Sequence, residues 1–395
     1  MLDFTNMWIQ REIEQKITTI SQKKACLVLT GARQTGKSSL LRHIFPGANN
    51  ISLDLPRHAQ MAEENGEKFL EDLSTPAIID EVQYAPALFR YLKSKIDERP
   101  EATGQYLLSG SQKFQLMEGV SESLSGRANI IEIHSLSHRE IENHSGRPSE
   151  GNILWERIFK GGYPEIYEKD LEPEEFFSNY VATYIERDVR KLLNIRNLRS
   201  FDRFMRLLST SVGQLLSYNR LASDLGISAS TVKEWIDVLQ VSNVIAILEP
   251  WFSNTRKRLI KTPKVYFCDT GLACSLAGMQ TVNDLMKSPL LGQIFENHVF
   301  AQLLRASWNQ GIRPQLYFFR DHKGNEIDFL EHRAGNFRAY ECKASEDPKI
   351  ELKGLKAMQE SFPKAEIELS FVCSSRESGR RKQGFLLENS IDFKA

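Results

Sequence analysis

Five short apolar runs mark the first third of the chain: ACLVLT, NNISLDL, TPAIID, GQYLLS and ANIIEI. Their length and β-rich composition predict strands near 25–30, 50–55, 77–80, 105–109 and 129–133, and so an open α/β sheet. From about 136 to 210 the pattern turns helical. In FFSNYVATYIERDVRKLL the apolar positions Phe177, Val181, Tyr184 and Val189 recur near one face, as expected of a small lid or connecting bundle. SYNRLASDLGISASTVKEWIDVLQ then reads as helix, turn, helix, with the turn at Gly226 and Ser228 or Ser230 capping the second helix. The last third opens on SPLLGQIFENHVFAQLLRASW, a helix with Leu291, Phe295, Val299 and Leu303 inward. Three strands follow, QLYFFR, EIDFLEH and NFRAYECKA, joined by turns at Gly324 and Gly335.

Composition narrows the setting. In 395 residues, 51 basic and 51 acidic side chains balance, so no global field attracts nucleic acid or membrane. The five cysteines show no metal-ligand spacing, and scattered thiols of odd number suit a reducing compartment. The opening MLDFTNMWIQREIEQKI lacks the apolar centre of a signal peptide, and no apolar run is long enough to cross a bilayer. A cytoplasmic protein without membrane attachment is expected.

The stretch that carries most chemistry is GARQTGKSS. It follows the first strand and precedes a helix with Leu40, Leu41, Ile44 and Phe45 on its apolar side. Glycines at 31 and 36 let backbone N–H groups curl round phosphate oxygens at a helix start. Gly31, Ala32, Arg33, Gln34, Thr35, Gly36, Lys37, Ser38 and Ser39 then form a phosphate-binding loop. Within it Lys37 reaches the β- and γ-phosphates and the Ser38 hydroxyl ligates Mg²⁺. TPAIIDEVQ supplies the partner carboxylates: Asp80 to hold Mg²⁺ through water and Glu81 to polarise the attacking water. Ser109 or Ser111, at the end of the fourth strand, could sense the γ-phosphate, although ordinary turn chemistry explains them equally well. Arg127, just before the fifth strand, stands where it could enter a neighbouring subunit's nucleotide site, or simply form a surface ion pair.

The order GARQTGKSS, AIIDEVQ, LLSGSQ, SLSGRA resembles an AAA-type ATPase. With KGGYPEIY, TYIERDVR and PKVYFCDTGL it resembles a prokaryotic family with that core and a C-terminal domain of unknown function. The resemblance spans the chain and implies binding and hydrolysis of ATP in an oligomer.

Two further sites are open. Arg187 or Arg190 could act as lid arginines, or lie on a solvated helix face. The helix-turn-helix carries Lys233 but also Glu234 and Asp237, while NTRKRLIKTPK brings Arg256, Lys257, Arg258, Lys261 and Lys264. A basic hairpin beside a neutral helix suits DNA-backbone contact, and a packing module with a solvated wing is the other reading.

In the last third, strand alternation puts Glu341 and Lys343 on one face, with Asp328 on the adjacent strand. Glu-x-Lys alone is common, recurring at Glu14–Lys16 and Glu351–Lys353. The order helix-Glu296, strand-Asp328, strand-Glu341-x-Lys343 resembles the PD-(D/E)xK restriction-endonuclease-like fold, with Ile327 where the family label has proline. The resemblance implies that Asp328, Glu341 and the Cys342 carbonyl hold Mg²⁺, that Glu296 positions a second ion, and that Lys343 orients the nucleophile. It also allows a domain that keeps the fold and is catalytically silent. The expectation is thus an α/β chain of four parts: a P-loop AAA-type core (1–135), a helical lid (136–210), a winged helix (211–265) and a nuclease-like α/β domain (266–395). ATP and Mg²⁺ are the expected cofactors, and DNA and further copies of the chain the expected partners.

Overall fold

The structure, a computed structural model, describes residues 8–111, 120, 122–185, 198–251, 261–333, 336–375, 379–391 and 393. Arg187, Val189, Arg190, Arg256, Lys257 and Arg258 lie outside the described residues. The chain divides into two compact units. Unit 1 holds Met1–Ser135 with Val241–Asn243 and Trp308–Ile312, and unit 2 holds Leu136–Gln240, Val244–Ser307 and Arg313–Ala395.

Unit 1 is a parallel five-stranded sheet: β1 (Cys26–Thr30), β2 (Asn49–Ser52), β3 (Ala77–Asp80), β4 (Tyr106–Ser109) and β5 (Ala128–Glu132). The spatial order is β2-β3-β4-β1-β5, which places β1 inside the sheet and β5 at its edge. Helices cover both faces, and alternate residues of the same strand therefore enter different cores. Cys26 and Val28, Ala77 and Ile79, Tyr106 and Leu108 pack with Phe69, Leu70, Phe89, Leu92 and Ile96. These last belong to α4 (Gly66–Glu71) and α5 (Leu88–Glu98), which follow α3 (Pro56–Glu64). Leu27, Leu29, Ile78, Leu107 and Ile131 face the other way, against Ile17 of α1 (Glu14–Ser21) and Leu40 and Leu41 of α2 (Lys37–Ile44). Such two-sided burial explains why these strands read as continuous apolar runs.

Unit 2 begins with a helical layer. Its helices are α6 (His138–Ser145), α7 (Gly151–Lys160), α8 (Pro164–Glu168), α9 (Pro173–Tyr180), which runs into a π turn at Val181–Ile185, and α10 (Leu198–Ser209). Next come α11 (Tyr218–Leu225) and α12 (Ala229–Val241), with Gly226 at φ 67° ending the first. Ser228 Oγ accepts the Thr231 N–H at 3.1 Å at the start of the second. An antiparallel pair, β6 (Ile245–Leu248) and β7 (Lys264–Phe267), follows, and then α13 (Thr270–Leu276), α14 (Val282–Lys287) and the long α15 (Leu291–Asn309).

The stretches GGY and CDTG, far apart in sequence, meet at Asp269. Its Oδ2 accepts the Gly162 N–H at 2.9 Å and its Oδ1 the Gly271 N–H at 3.0 Å. A Cβ on Gly161 would stand 2.1 Å from Asp269 Oδ1, so the backbone closes to a distance only glycine permits.

The remainder is a six-stranded mixed sheet. Its strands are β8 (Leu316–Arg320), β9 (Glu326–Arg333), β10 (Asn336–Lys343), β11 (Ile367–Cys373), β12 (Arg380–Lys382) and β13 (Phe385–Asn389). Their spatial order is β12-β13-β11-β10-β9-β8. The hairpins β8–β9 and β9–β10 are antiparallel, with a register shift between Tyr317 and Phe319 on β8. The strand β10 then pairs in parallel with β11 after a crossover through α16 (Lys353–Ser361). On one face Phe329, Tyr340 and Val372 join the core that holds Phe295, Val299 and Leu303 of α15. On the other, Ala339 and Phe371 pack with Leu355 and Met358 of α16.

Candidate functional site

In unit 1 the loop between β1 and α2 is bent by Gly31 at φ 139°, Gln34 at φ 59° and Gly36 at φ 86°. Gly31 is the tight point: a Cβ there would lie 2.0 Å from the Ile133 carbonyl oxygen. Thr35 Oγ1 donates to the Ala32 carbonyl at 2.9 Å, and Lys37 Nζ turns back onto the carbonyls of Gly31 at 3.1 Å and Ala32 at 2.7 Å. Lys37, 7 % exposed, has no anion bonded to its ammonium among the described residues. Burial draws its pKa down to about 8, with Glu81 and Asp80 opposing and Arg33 adding to the fall. Carbonyl oxygens are weak partners for a buried ammonium, so this loop favours the approach of phosphate oxygens. Ser39 is exposed on α2, with Arg42 Nη2 3.5 Å from its hydroxyl.

The parallel register brings the ends of β1, β3 and β4 together, and with them three expected residues. Ser38 Oγ donates to Asp80 Oδ1 at 2.7 Å, and Ser109 Oγ donates to the same oxygen at 2.5 Å. Glu81 follows in the left-handed region at φ 54°. Ser111 Oγ donates to Glu81 Oε2 at 3.1 Å, and Gln83 Nε2 donates to the same oxygen. The hydroxyl that ends β4 and the one two residues on therefore divide their work between the two carboxylates.

Arg127 stands elsewhere. It precedes Ala128, which is level with Cys26, whereas the loop leaves β1 after Thr30, level with Glu132. At 3.3 Å per residue that separates it from the loop by roughly 15 Å along the sheet. Its guanidinium pairs with Asp97 on α5, Nε to Oδ1 at 2.5 Å and Nη2 to Oδ2 at 2.9 Å.

Arg11 is a contributor that local pattern did not reveal. Its guanidinium, on a residue 5 % exposed, donates to the Thr35 carbonyl at 3.0 Å and to the His134 carbonyl at 2.8 Å. The segment ahead of α1 is thereby fastened to the phosphate loop.

Unit 2 gathers the other expected residues. The β9–β10 register runs from Asn336↔Arg333 to Tyr340↔Phe329, and just beyond it Asp328 Oδ2 accepts the Cys342 N–H at 2.8 Å. Lys343 Nζ lies 3.6 Å from Glu341 Oε2. Glu296 arrives from α15, where its Oε1 accepts Tyr266 OH at 2.5 Å and Lys264 Nζ at 2.9 Å. Lys264 also pairs with Glu326, whose other oxygen is held by Arg320 at 2.5 Å. Burial, reinforced by Glu296, pushes the Asp328 carboxyl up to about 7. Burial, reinforced by Asp328, pushes Glu341 up to about 9.

Two expectations change here. Lys264, read with the basic wing, is 1 % exposed at the start of β7, so it is out of reach of a nucleic-acid backbone. The carboxylates expected to hold Mg²⁺ (Glu296, Asp328 and Glu341) each have a partner within the protein. Among the described residues no three His, Cys, Asp or Glu side chains converge to hold a metal ion. This donor set does not fit a divalent cation. The set at Ser38 and Asp80 does fit one that arrives with a nucleotide, because phosphate oxygens complete its coordination.

Residues 23–142 match the family described as AAA domain, and residues 151–283 and 291–388 match two domains of unknown function, DUF8612 and DUF4143. The chain therefore carries a P-loop AAA-type ATPase domain followed by a C-terminal DUF4143 domain. It is 29% identical over 345 residues to the uncharacterized protein Rv2008c of Mycobacterium tuberculosis, covering 86% of this chain and 75% of that one. It is 24% identical over 366 residues to the uncharacterized protein MJ1637 of Methanocaldococcus jannaschii, covering 80% and 72%. Among solved structures, a Walker-type ATPase of Pyrococcus abyssi is similar at TM-score 0.45 and 17% identity, covering 68% of this chain and 96% of that one. Thermotoga maritima RuvB is similar at 0.33 and 18%, covering 60% and 89%. No helix among the described residues is long and apolar enough to cross a membrane.

Proposed function

We propose that the chain is an ATP-hydrolysing switch that works as a homo-oligomer and whose nucleotide state governs the grip of unit 2 on DNA. The observation that carries the reading is the convergence of Ser38 and Ser109 on one oxygen of Asp80 beside an ammonium that donates to the carbonyls of Gly31 and Ala32. Lys37 and the backbone N–H groups of the loop hold the β- and γ-phosphates. Ser38 directly, and Asp80 through water, would hold Mg²⁺, which neutralises charge on the phosphates. Glu81 orients and deprotonates the attacking water, and Ser111 and Gln83 set the position of its carboxylate. Arg127, remote from its own loop along the sheet and paired with Asp97, serves the site of a neighbouring copy and leaves Asp97 when it does so. The DNA-directed part of the reading is supported by the order α11, turn, α12, β6–β7, with Arg220 and Lys233 exposed on the two helices. Glu234 and Asp237 beside them favour contact with the sugar-phosphate backbone over base reading.

The test has two parts. Phosphate release should be lost in Lys37→Ala together with nucleotide binding, whereas Glu81→Gln should bind ATP and turn over at least roughly 100-fold more slowly. Fluorescence anisotropy of labelled duplex should then differ by at least about tenfold in Kd between ATP-loaded Glu81→Gln and the nucleotide-free chain. Normal turnover in Glu81→Gln removes the assigned base, and identical DNA affinity in both states removes the switch.

A further inference from the structure

The carboxylate pocket of unit 2 is crowded with charge that its own side chains compensate. Lys264 Nζ sits between Glu296 on α15, at 2.9 Å, and Glu326 on β9. Arg320 takes the second oxygen of Glu326, and Lys343 lies beside Glu341. Lys264 is 1 % exposed, with its ammonium 5.4 Å from the centre of the Phe318 ring. An ammonium in so dry a place persists only if carboxylates hold it. Three cations (Lys264, Arg320, Lys343) thus face four carboxyl groups (Glu296, Glu326, Asp328, Glu341), so at most one negative charge is left over. A divalent ion takes one or two carboxylates that are free to turn to it and fills the rest of its shell with water. Here Glu296 Oε1 already accepts both Lys264 and Tyr266, and Asp328 Oδ2 already accepts the Cys342 N–H.

We propose that Lys264 is the resident cation of this pocket: its ammonium takes the electrostatic place of a divalent metal, braces β7, α15 and β9 together, and leaves unit 2 without metal-dependent nuclease chemistry. The inference stands on the geometry of unit 2 alone and is independent of whether unit 1 hydrolyses ATP. It makes an unusual demand. Removing the lysine charge should open a divalent-cation site that the natural chain lacks.

The experiment uses the full chain without nucleotide, carrying Ser38→Ala and Asp80→Asn so that neither residue assigned to the nucleotide's Mg²⁺ remains. Mn²⁺ is the probe, followed by electron paramagnetic resonance of the free ion and by thermal melting. Without further change the chain should take up no Mn²⁺ below about 1 mM, a concentration at which built carboxylate sites are commonly filled. Lys264→Met should bind one Mn²⁺ at least roughly tenfold more tightly and melt higher in its presence, and Lys264→Arg, which keeps the charge, should not. Stoichiometric Mn²⁺ in the chain with Lys264 intact, lost on Asp328→Asn or Glu341→Gln, would overturn the proposal. So would a folded Lys264→Met chain that still takes no Mn²⁺. If Lys264→Met does not fold, the titration of the chain with Lys264 intact decides alone. Mn²⁺-dependent DNA cleavage, abolished by Asp328→Asn, would likewise overturn it.

Discussion

Ser109 Oγ donates to Asp80 Oδ1 at 2.5 Å, and that oxygen also takes the Ser38 hydroxyl. The end of β4 thereby reports on, and steadies, the carboxylate at the end of β3. A hydrogen bond to a charged group contributes about 1.5–3 kcal/mol. If that contribution is made mainly in the transition state, Ser109→Ala should lower kcat roughly 10- to 100-fold, with nucleotide affinity changed by less than about threefold. Ser109→Thr, which keeps the hydroxyl, should recover most of it. Steady-state phosphate release beside equilibrium nucleotide titration separates the two effects, and a pure loss of binding would mean that Ser109 serves the loop rather than the reaction.

The Arg127–Asp97 pair predicts complementation. Arg127→Ala should lose roughly 10³-fold in turnover, the usual scale for an arginine supplied to a phosphoryl-transfer site. Mixed with the slow Glu81→Gln, it should regain activity, because its own intact site then meets an intact arginine from the other chain. Mixtures no more active than their parts would confine Arg127 to its surface pair with Asp97.

Gly31 is tested by a single methyl group. The Cβ of Gly31→Ala would stand 2.0 Å from the Ile133 carbonyl at φ 139°, so β5 and the loop must part to admit it. The expected loss is about 2–4 kcal/mol by urea unfolding, read as a lower midpoint at unchanged slope. An unshifted midpoint would show that the approach of β5 is slack.

Unit 2 should be sensitive to acid through two histidines packed against each other. His138 and His298 have ring centres 4.3 Å apart, and His298 Nε2 lies 3.1 Å from Ser390 Oγ. Burial, with Arg305, draws His298 down to about 3, and burial, with His298, Arg157 and Arg305, holds His138 well below its ordinary value. A histidine that is neutral when folded and titrates near 6.5 when unfolded contributes stability that is complete above 6.5 and is lost as pH falls toward its folded value. Each contributes up to about 1.4 kcal/mol per pH unit in that window. Asp328 and Glu341, raised to about 7 and 9, act in the opposite sense: their contribution is present at low pH and is lost as pH rises through those values. The quantity to measure is therefore the difference between natural chain and His298→Phe, which should narrow by about one proton's slope between pH 6.5 and 4.5. Parallel stability curves would show that His298 does not take up its proton on unfolding.

Much of this was legible in sequence where the signal is local. The strands of unit 1 announce themselves because a parallel sheet covered on both faces needs unbroken apolar runs, and ACLVLT supplies all of Cys26–Thr30. The loop was legible because its chemistry requires glycine, lysine and serine at fixed spacing. What depends on distant pairing was not. The strands β11 to β13 follow a crossover and carry no pattern tying them to β10. Lys264 reads as one more basic residue after RKR, and only the packing of β7 against α15 and β9 reveals its destination between Glu296 and Glu326. Arg11 and Thr35 are separated by α1 and β1, and no periodicity links a guanidinium to a carbonyl so far along the chain.

The Arg11 fastening bears on how the protein is handled. Because that guanidinium rests on the Thr35 carbonyl, Arg11 supports the phosphate loop from behind. Trimming the chain to begin at Glu14, or crowding the residues around Arg11 with a bulky purification tag, would slacken that loop. Activity lost in this way would look like a damaged active site, although every residue that touches the phosphates was still in place.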